Sequence, residues 1–197
     1  MSTHNDYIRI PAAAELPGAT NKARLIWMVI LTIAVIGATF ALSCVTPFAA
    51  LGVALAGTAG LRASLRVVTI VWFANQLIGF VFFHFPLTAN TFLWAVAIGV
   101  AALITTAVAC VATKYTASAP VPIRLGVALL VSFAIYELTL LPAGVVLNGL
   151  DTFRASIVAQ LAWINAASLV AMVVLNEVAA ALFRPWLGRM PRLARAS

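Results

Sequence analysis

A cysteine and a histidine at breaks between long apolar runs are the residues of this chain best placed to do chemistry. Cys44 lies in the break 43–47, and His84 opens the break 84–90. A cysteine thiolate is a soft ligand that suits soft or borderline metals. Cys44 equally fits a small apolar side chain that fills a gap. His84 is a second ligand, a pH-sensitive contact or an interfacial histidine that donates to a backbone carbonyl.

Amide, hydroxyl and carboxylate side chains stand at the same breaks or at a later one. Asp151 is interpreted as the partner of Arg154, with a substrate contact through Arg154 as the alternative. Because the three breaks are expected on one side of the protein, their side chains are predicted to form one concave site with apolar walls. The predicted substrate-binding residues are Cys44, His84, Thr88, Asn90, Asn148, Asp151 and Thr152.

The composition predicts that the chain is an integral membrane protein and that these breaks separate its membrane-spanning segments. Of the 197 residues, 64% are apolar and 9% are charged, and the mean hydropathy is +1.09. A soluble domain of this length carries more polar surface. The net charge of +7 is interpreted as a cytoplasmic excess of Lys and Arg with some contact to anionic lipid. No nucleic-acid partner is predicted, because basic clusters interleaved with stacking aromatics are absent from the sequence.

The positions of the cations predict the membrane topology. They fall in every second gap between apolar runs, and short cytoplasmic loops retain Lys and Arg. Both termini are therefore predicted inside, with six crossings; Arg154 is the exception. The predicted divisions are a cytoplasmic segment 1–24, a transmembrane domain 25–183 and a basic tail 184–197. The inward cations are Arg9, Lys22, Arg24, Arg62, Arg66, Lys114, Arg124, Arg184, Arg189, Arg192 and Arg195.

Six transmembrane helices are predicted, in an all-α bundle with no second domain. Helices are favoured over a barrel because the runs are continuously apolar rather than alternating. Trp27 is predicted as an interfacial anchor, and the second run is short for a span unless Arg62 snorkels. No phosphate-binding loop is present in the sequence, so active transport needs an outside energy source. The predicted runs are 25–42, 48–62, 67–83, 91–112, 125–147 and 156–183.

Small residues recur every four positions in the first two runs, with Ala34 and Ala38 in the first and 52, 56 and 60 in the second. Such stripes let helices approach closely in lipid, either inside the bundle or against a second membrane protein.

Glu137 is a carboxyl at membrane depth. It is interpreted as protonated or paired, with a structural hydrogen bond to Asn75 or Gln76 and a proton relay as the two alternatives.

The pattern resembles the S-components of energy-coupling-factor vitamin transporters, which are six-helix bundles with an AxxxA stripe in the first helix. The stripe here is Ala34-Val35-Ile36-Gly37-Ala38. Segments 43–51 (SCVTPFAAL) and 74–80 (ANQLIGF), with 84–86 (HFP), are similar to the small proteobacterial cobalamin transporters called BtuM. The resemblance covers the whole apolar region, although its motifs are short.

The resemblance implies a protein of the bacterial cytoplasmic membrane that binds cobalamin at its outer face. It implies that the Cys44 thiolate binds the cobalt and strips its cyanide. Ala34 and Ala38 would dock a coupling subunit that works with ATPases, unless the protein acts alone.

Three alternatives remain open: an S-component for another vitamin or a metal ion, a membrane thiol enzyme that uses Cys44 with His84, and a structural partner subunit. A Cys44–Cys110 disulfide is not expected, because Cys110 is predicted about a membrane thickness away. A structural zinc site is not expected either, since no second Cys–His pair has ligand spacing.

Overall fold

The computed structural model of the chain describes residues 21–41, 45–187 and 193. This part is all-helical, contains no strand, and is 85% helix. Five of its helices are long and apolar enough to cross a membrane, as the composition predicts. The helices are α1 (Asn21–Ala41), α2 (Phe48–Ala56), α3 (Leu61–Val81), α4 (Ala89–Tyr115), α5 (Val121–Val146) and α6 (Ala155–Leu187), with a 3-10 helix at Leu150–Phe153.

The second apolar run is where the predicted helix boundaries are wrong. The helix α2 ends at Ala56, and α3 begins at Leu61 instead of residue 67, so that Arg62 lies in the first turn of α3. The turn between them closes with hydrogen bonds from the backbone N–H groups of Thr58 and Ala59 to Leu55 O. At nine residues, α2 is about 13 Å long, less than half of a hydrocarbon core of about 30 Å.

Contacts between the helices define two ends of the bundle. The His84 end carries the connections 82–88 and 147–154, and the Lys114 end carries the α4–α5 connection. At the His84 end, the rings of Phe40 and Phe82 are 5.4 Å apart, so α1 and α3 run in the same direction. Trp27, early in α1, bonds to Thr58, just after α2. The short helix α2 therefore runs back toward the Lys114 end.

The helix α2 forms the centre of the protein. All residues from Phe48 to Leu55 are buried, and α3, α4, α5 and α6 all contact α2. A Cβ added at Gly52 would lie 3.2 Å from Thr106 Cα, which shows how closely α2 approaches α4. The small-residue stripe of the second run therefore serves internal packing at Gly52, one of its two predicted roles.

The predicted interfacial role of Trp27 is wrong. Its side chain is 0% exposed, and its Nε1–H donates to Thr58 Oγ1 at 3.1 Å. A buried indole needs an acceptor for its N–H group, and Thr58 supplies one while its own hydroxyl donates to Ala54 O. Trp27 thus fixes α1 against the turn that follows α2.

The C-terminal segment also contributes to this packing. Leu193 is 1% exposed and belongs to the main apolar core. Its backbone N–H donates to Asn176 Oδ1 at 2.9 Å, and its side chain occupies the space where a Cβ on Gly57 would lie. Leu193 therefore packs against the bundle, a contact that the prediction of a basic cytoplasmic tail did not include.

The outward faces of the long helices are apolar. Large exposed side chains on them include Ile33, Leu130, Trp163 and Val170. Exposed faces of this kind on long apolar helices are what lipid contact requires, and they support the interpretation as a membrane protein.

Candidate functional site

A group of polar side chains, buried except for the half-buried Gln76, lies at the start of α2, and we call it the α2 polar cluster. Its members are Thr39 of α1, Thr46, Asn75 and Gln76 of α3, and Asn165 of α6. The hydroxyls of Thr39 and Thr46 are 3.1 Å apart. Asn75 Nδ2 donates to Thr46 Oγ1 at 2.8 Å, and Gln76 Nε2 donates to Asn75 Oδ1 at 3.1 Å. Three separate chain segments therefore meet through one hydrogen-bonded chain.

The cluster forms here because α2 begins inside the bundle. Pro47 cannot donate a backbone hydrogen bond, and the first N–H groups of any helix lack intrahelical partners. Asn165 Oδ1 accepts from Ala50 N at 3.1 Å and so satisfies one of these buried donors. Asn165 Nδ2 donates to Leu161 O at 2.9 Å, which holds the amide in this orientation.

A helix that begins within a membrane protein presents a partial positive charge to its surroundings. In transporters built on broken helices, such helix ends face the substrate or coupling ion. The α2 polar cluster surrounds such an end with amides and hydroxyls, and Phe48, the first residue of α2, faces the ring of Tyr136 at 6.3 Å. The start of α2 is therefore surrounded by amides, hydroxyls and aromatic rings.

Cys44, the predicted metal ligand and catalytic residue, lies outside the described residues. It stands two positions before Thr46 in the sequence. Among the described residues, no group of three or more His, Cys, Asp or Glu side chains could hold a metal ion. Cys110 is a free, buried cysteine in the part of α4 nearest the Lys114 end.

His84 lies in the connection 82–88, as predicted. Its ring Nδ1 is 3.1 Å from Phe82 O, and its backbone φ is 53°. The contact to a backbone carbonyl was one of the three alternatives for this residue, and the structure confirms it. His84 is exposed.

Thr88 and Asn90 have structural roles at the start of α4. Thr88 is the N-cap residue, and its Oγ1 accepts from Thr91 N at 3.3 Å. Such caps satisfy one free N–H group of the first turn. Asn90 Nδ2 donates to Leu147 O at 3.2 Å and joins the start of α4 to the connection 147–154.

The residues predicted around position 150 lie in the connection 147–154. Asp151 Oδ1 and Arg154 Nη2 are 2.6 Å apart, which confirms the predicted ion pair. Thr152 Oγ1 donates to Gly149 O at 2.7 Å. Asn148 is exposed, with a backbone φ of 55°. Trp94 of α4 fills the space beside Gly149, so the start of α4 lies against the connection 147–154.

Sequence reasoning missed an aromatic group at the His84 end. The rings of Phe80 and Phe92 stack with centroids 5.0 Å apart, and Phe85 meets both Phe80 and Phe83 at 6.4 Å. Phe83, Phe85 and Phe92 are all exposed. The signal in the sequence was the density of phenylalanines between positions 80 and 92. The group offers flat apolar surface beside the polar residues of both connections.

The predicted docking residues lie on the outside of α1. Ala34 is exposed and Ala38 is half-buried, and a Cβ on the neighbouring Gly37 would meet no atom within 4 Å.

Glu137 is half-buried, and its Oε1 has no hydrogen-bond partner within the described part of the chain. The predicted bonds from Asn75 or Gln76 therefore do not reach this oxygen, whereas both amides bond inside the α2 polar cluster.

Protein-family models, curated proteins and solved structures were compared with this chain, and none of them matches it.

Proposed function

We propose that this protein takes up a vitamin across the bacterial cytoplasmic membrane, with cobalamin or a related corrinoid as substrate. The observation that supports it most directly is the α2 polar cluster, which follows Cys44 in the chain and lies among apolar helices. A corrinoid is large, flat and partly apolar, and it carries peripheral amides and a metal. Amides, hydroxyls, apolar walls and a thiol together suit each of these parts.

Cys44 is the proposed ligand of the substrate's cobalt. A soft thiolate is suited to an axial position on this metal. When cyanocobalamin binds, the thiolate takes the position of cyanide on the cobalt, and cyanide leaves as an anion. The ligand exchange needs no second titratable side chain beside the cysteine.

The residues of the His84 end are proposed to admit and cover the corrinoid. His84, Asn148 and Thr152 are exposed there, and the neighbouring phenylalanines offer a flat apolar surface. Thr88, Asn90 and Asp151 support the two connections through their own bonds. A site on connections leaves room for movement when a substrate enters.

The proposed topology has six crossings, with both termini inside. The alternating direction of α1, α2 and α3 supports it, because α2 returns from the level of Thr46 to the level of Trp27. The segment 45–60 then counts as the second crossing although α2 itself is short. The exposed stripe of Ala34 and Ala38 is the proposed contact for a coupling subunit, which joins the protein to ATPases unless it acts alone.

The test is a visible spectrum of the purified protein in detergent with cyanocobalamin. The protein with its native sequence and the Cys110→Ala variant are expected to change the spectrum as the thiolate replaces cyanide. Cys44→Ala is expected to leave the spectrum of cyanocobalamin unchanged. Cys110→Ala is a matched control because it removes the other cysteine of the chain. An unchanged spectrum with the native sequence, or the same spectrum with all three proteins, contradicts thiolate ligation.

The α2 polar cluster favours a second candidate, an S-component for another vitamin, because amides and hydroxyls serve many polar substrates. A growth-rescue panel of vitamin auxotrophs separates the two. Rescue of a cobalamin auxotroph alone supports the corrinoid, whereas rescue of a different auxotroph by both the native sequence and Cys44→Ala supports the alternative.

A further inference from the structure

A groove of about 340 Å³ runs between α1 and α3 on the outside of the bundle. Met28, Val29 and Ile33 of α1 line one wall, and Val67 and Ile70 of α3 line the other. Val29, Ile33 and Ile70 are each about half exposed or more. Since α1 and α3 run in the same direction, residues 25–33 and 63–70 line the groove along the helix axes over about 12 Å, which suits part of an acyl chain.

Arg66 is the one cation that lines the groove in the described part of the chain. Its side chain is exposed and lies in the half of α3 nearest the Lys114 end. Lys22 and Arg62 are also exposed at this end, whereas no carboxylate among the described residues lines the groove. Thr32 also lines it, but its hydroxyl already donates to Met28 O at 2.7 Å. The groove is thus apolar along its length and positive near one end.

We propose that this groove binds an anionic phospholipid, with one acyl chain between α1 and α3 and the phosphate on Arg66. A guanidinium donates two parallel hydrogen bonds to a phosphate, and basic pockets between transmembrane helices recognise anionic headgroups. An arginine near a helix end reaches the membrane interface, where such headgroups lie. The proposal is independent of Cys44 and of the transported substrate.

The side chains of the groove favour lipid over a protein helix as the occupant. Helices that pack in membranes meet along small residues, which allow close approach. This groove instead has branched side chains on both walls, at Val29, Ile33 and Ile70. The small-residue face of α1, at Ala34 and Gly37, is not among the residues that line it. A flexible acyl chain fits between branched side chains without such a stripe.

The test uses the full-length protein in nanodiscs of phosphatidylcholine with a minor fraction of phosphatidylglycerol. After mild detergent extraction, native mass spectrometry counts the lipids that stay bound. One phosphatidylglycerol per protein is expected. Arg66→Gln is expected to weaken its binding by about tenfold or more, whereas Arg62→Gln, which removes an exposed cation outside the groove, is expected to change it by less than about twofold.

A second variant tests the apolar part of the site. Ile33→Trp fills the groove from an exposed position and keeps Arg66, so it is expected to reduce binding without unfolding the protein. Circular dichroism and gel filtration check the fold of each variant. Equal retention of phosphatidylcholine, equal losses in Arg66→Gln and Arg62→Gln, or a dimer that disappears in Ile33→Trp would each overturn the proposal.

Discussion

Asparagine and threonine side chains make similar hydrogen bonds around α2 and at the His84 end, but they are buried around α2 and exposed at the His84 end. Around α2, Asn165 and Thr46 are buried, and their bonds serve backbone and side-chain groups that have no access to water. At the His84 end, Asn90 and Thr88 make comparable bonds while exposed. A buried polar group that loses its partner bears the full cost of desolvation, whereas an exposed one bonds to water instead.

The difference in burial predicts that the region around α2 stabilises the fold and that the exposed connections can rearrange. Leu193, Trp27 and Asn165 hold the two ends of α2 in place, so changes there should destabilise the whole bundle. The exposed connections can exchange their bonds for water or for a substrate at small cost. In the proposed function, the α2 polar cluster is the fixed part of the site and the connections are its movable cover.

The largest expected effect is that of Leu193→Ala, which empties a buried position against Gly57. Loss of a buried leucine side chain leaves a cavity and lowers the free energy of unfolding by about 2–5 kcal/mol. Leu87→Ala, in the connection 82–88, is the matched control because Leu87 is 76% exposed. Its effect should stay within about 0.5 kcal/mol. Unfolding by sodium dodecyl sulfate in mixed micelles measures both, and equal effects would abolish the distinction between the two regions.

Asn165→Leu should have the next largest effect. The change removes the acceptor of Ala50 N–H inside the bundle and lowers the free energy of unfolding by about 1–3 kcal/mol. The same substitution at Asn90 removes an exposed bond to Leu147 O, so its effect should be below about 1 kcal/mol. Thermal denaturation of both variants in the same detergent makes the comparison. A larger loss in Asn90→Leu would contradict the assignment of the fixed and the movable part.

Gly52→Val tests the close approach of α2 to α4. The added atoms would meet Thr106 at 3.2 Å, and overpacking of this kind costs about 1–3 kcal/mol. Gly37→Val is the matched control, because nothing lies within 4 Å of that position. Midpoints of denaturation in detergent give the two values. Equal stability of both variants would show that α2 is free to shift away from α4.

Asp151→Asn should have the smallest effect. The ion pair with Arg154 is exposed, with side chains 84% and 68% accessible, and exposed pairs contribute from about 0 to 1 kcal/mol. Any loss should vanish at about 1 M salt, where charges are screened within about 3 Å. Denaturation at low and high ionic strength measures it. A loss that persists at high salt would mean that Asp151 stabilises the connection by other contacts.

The sequence predicted the long helices well and the short one badly. The helices α1, α4, α5 and α6 follow the predicted runs closely, with ends shifted by a few residues, because a continuous apolar stretch must form its own backbone hydrogen bonds in lipid. The prediction for the second run was wrong because the turn at residues 57–60, which replaces the helix, contains no charged residue that would mark a break. The prediction of Trp27 as an interfacial anchor was wrong for a related reason. An indole suits both a membrane interface and a buried site with an acceptor for its N–H group.

The residues of the α2 polar cluster were not recognised as a group, and Thr39 was not singled out from the sequence. Asn75, Gln76 and Asn165 were conspicuous as polar residues in apolar runs, and Thr46 lay in a break with Cys44. Nothing local indicates that the amide of Asn165 serves the start of α2. The described members of the predicted set lie in the two connections or at the start of α4, and their bonds, such as Thr88 to Thr91, became visible only with the structure.

Sequence alone determined that this chain is a bundle of apolar helices with a cysteine and polar residues at its breaks. Those properties depend on hydropathy and on hydrogen bonds between near neighbours, which each segment carries by itself. Only the tertiary structure decided that α2 lies at the centre and that Ala50 meets Asn165, 115 positions away. A buried donor must find an acceptor, and which acceptor it finds depends on how the helices pack.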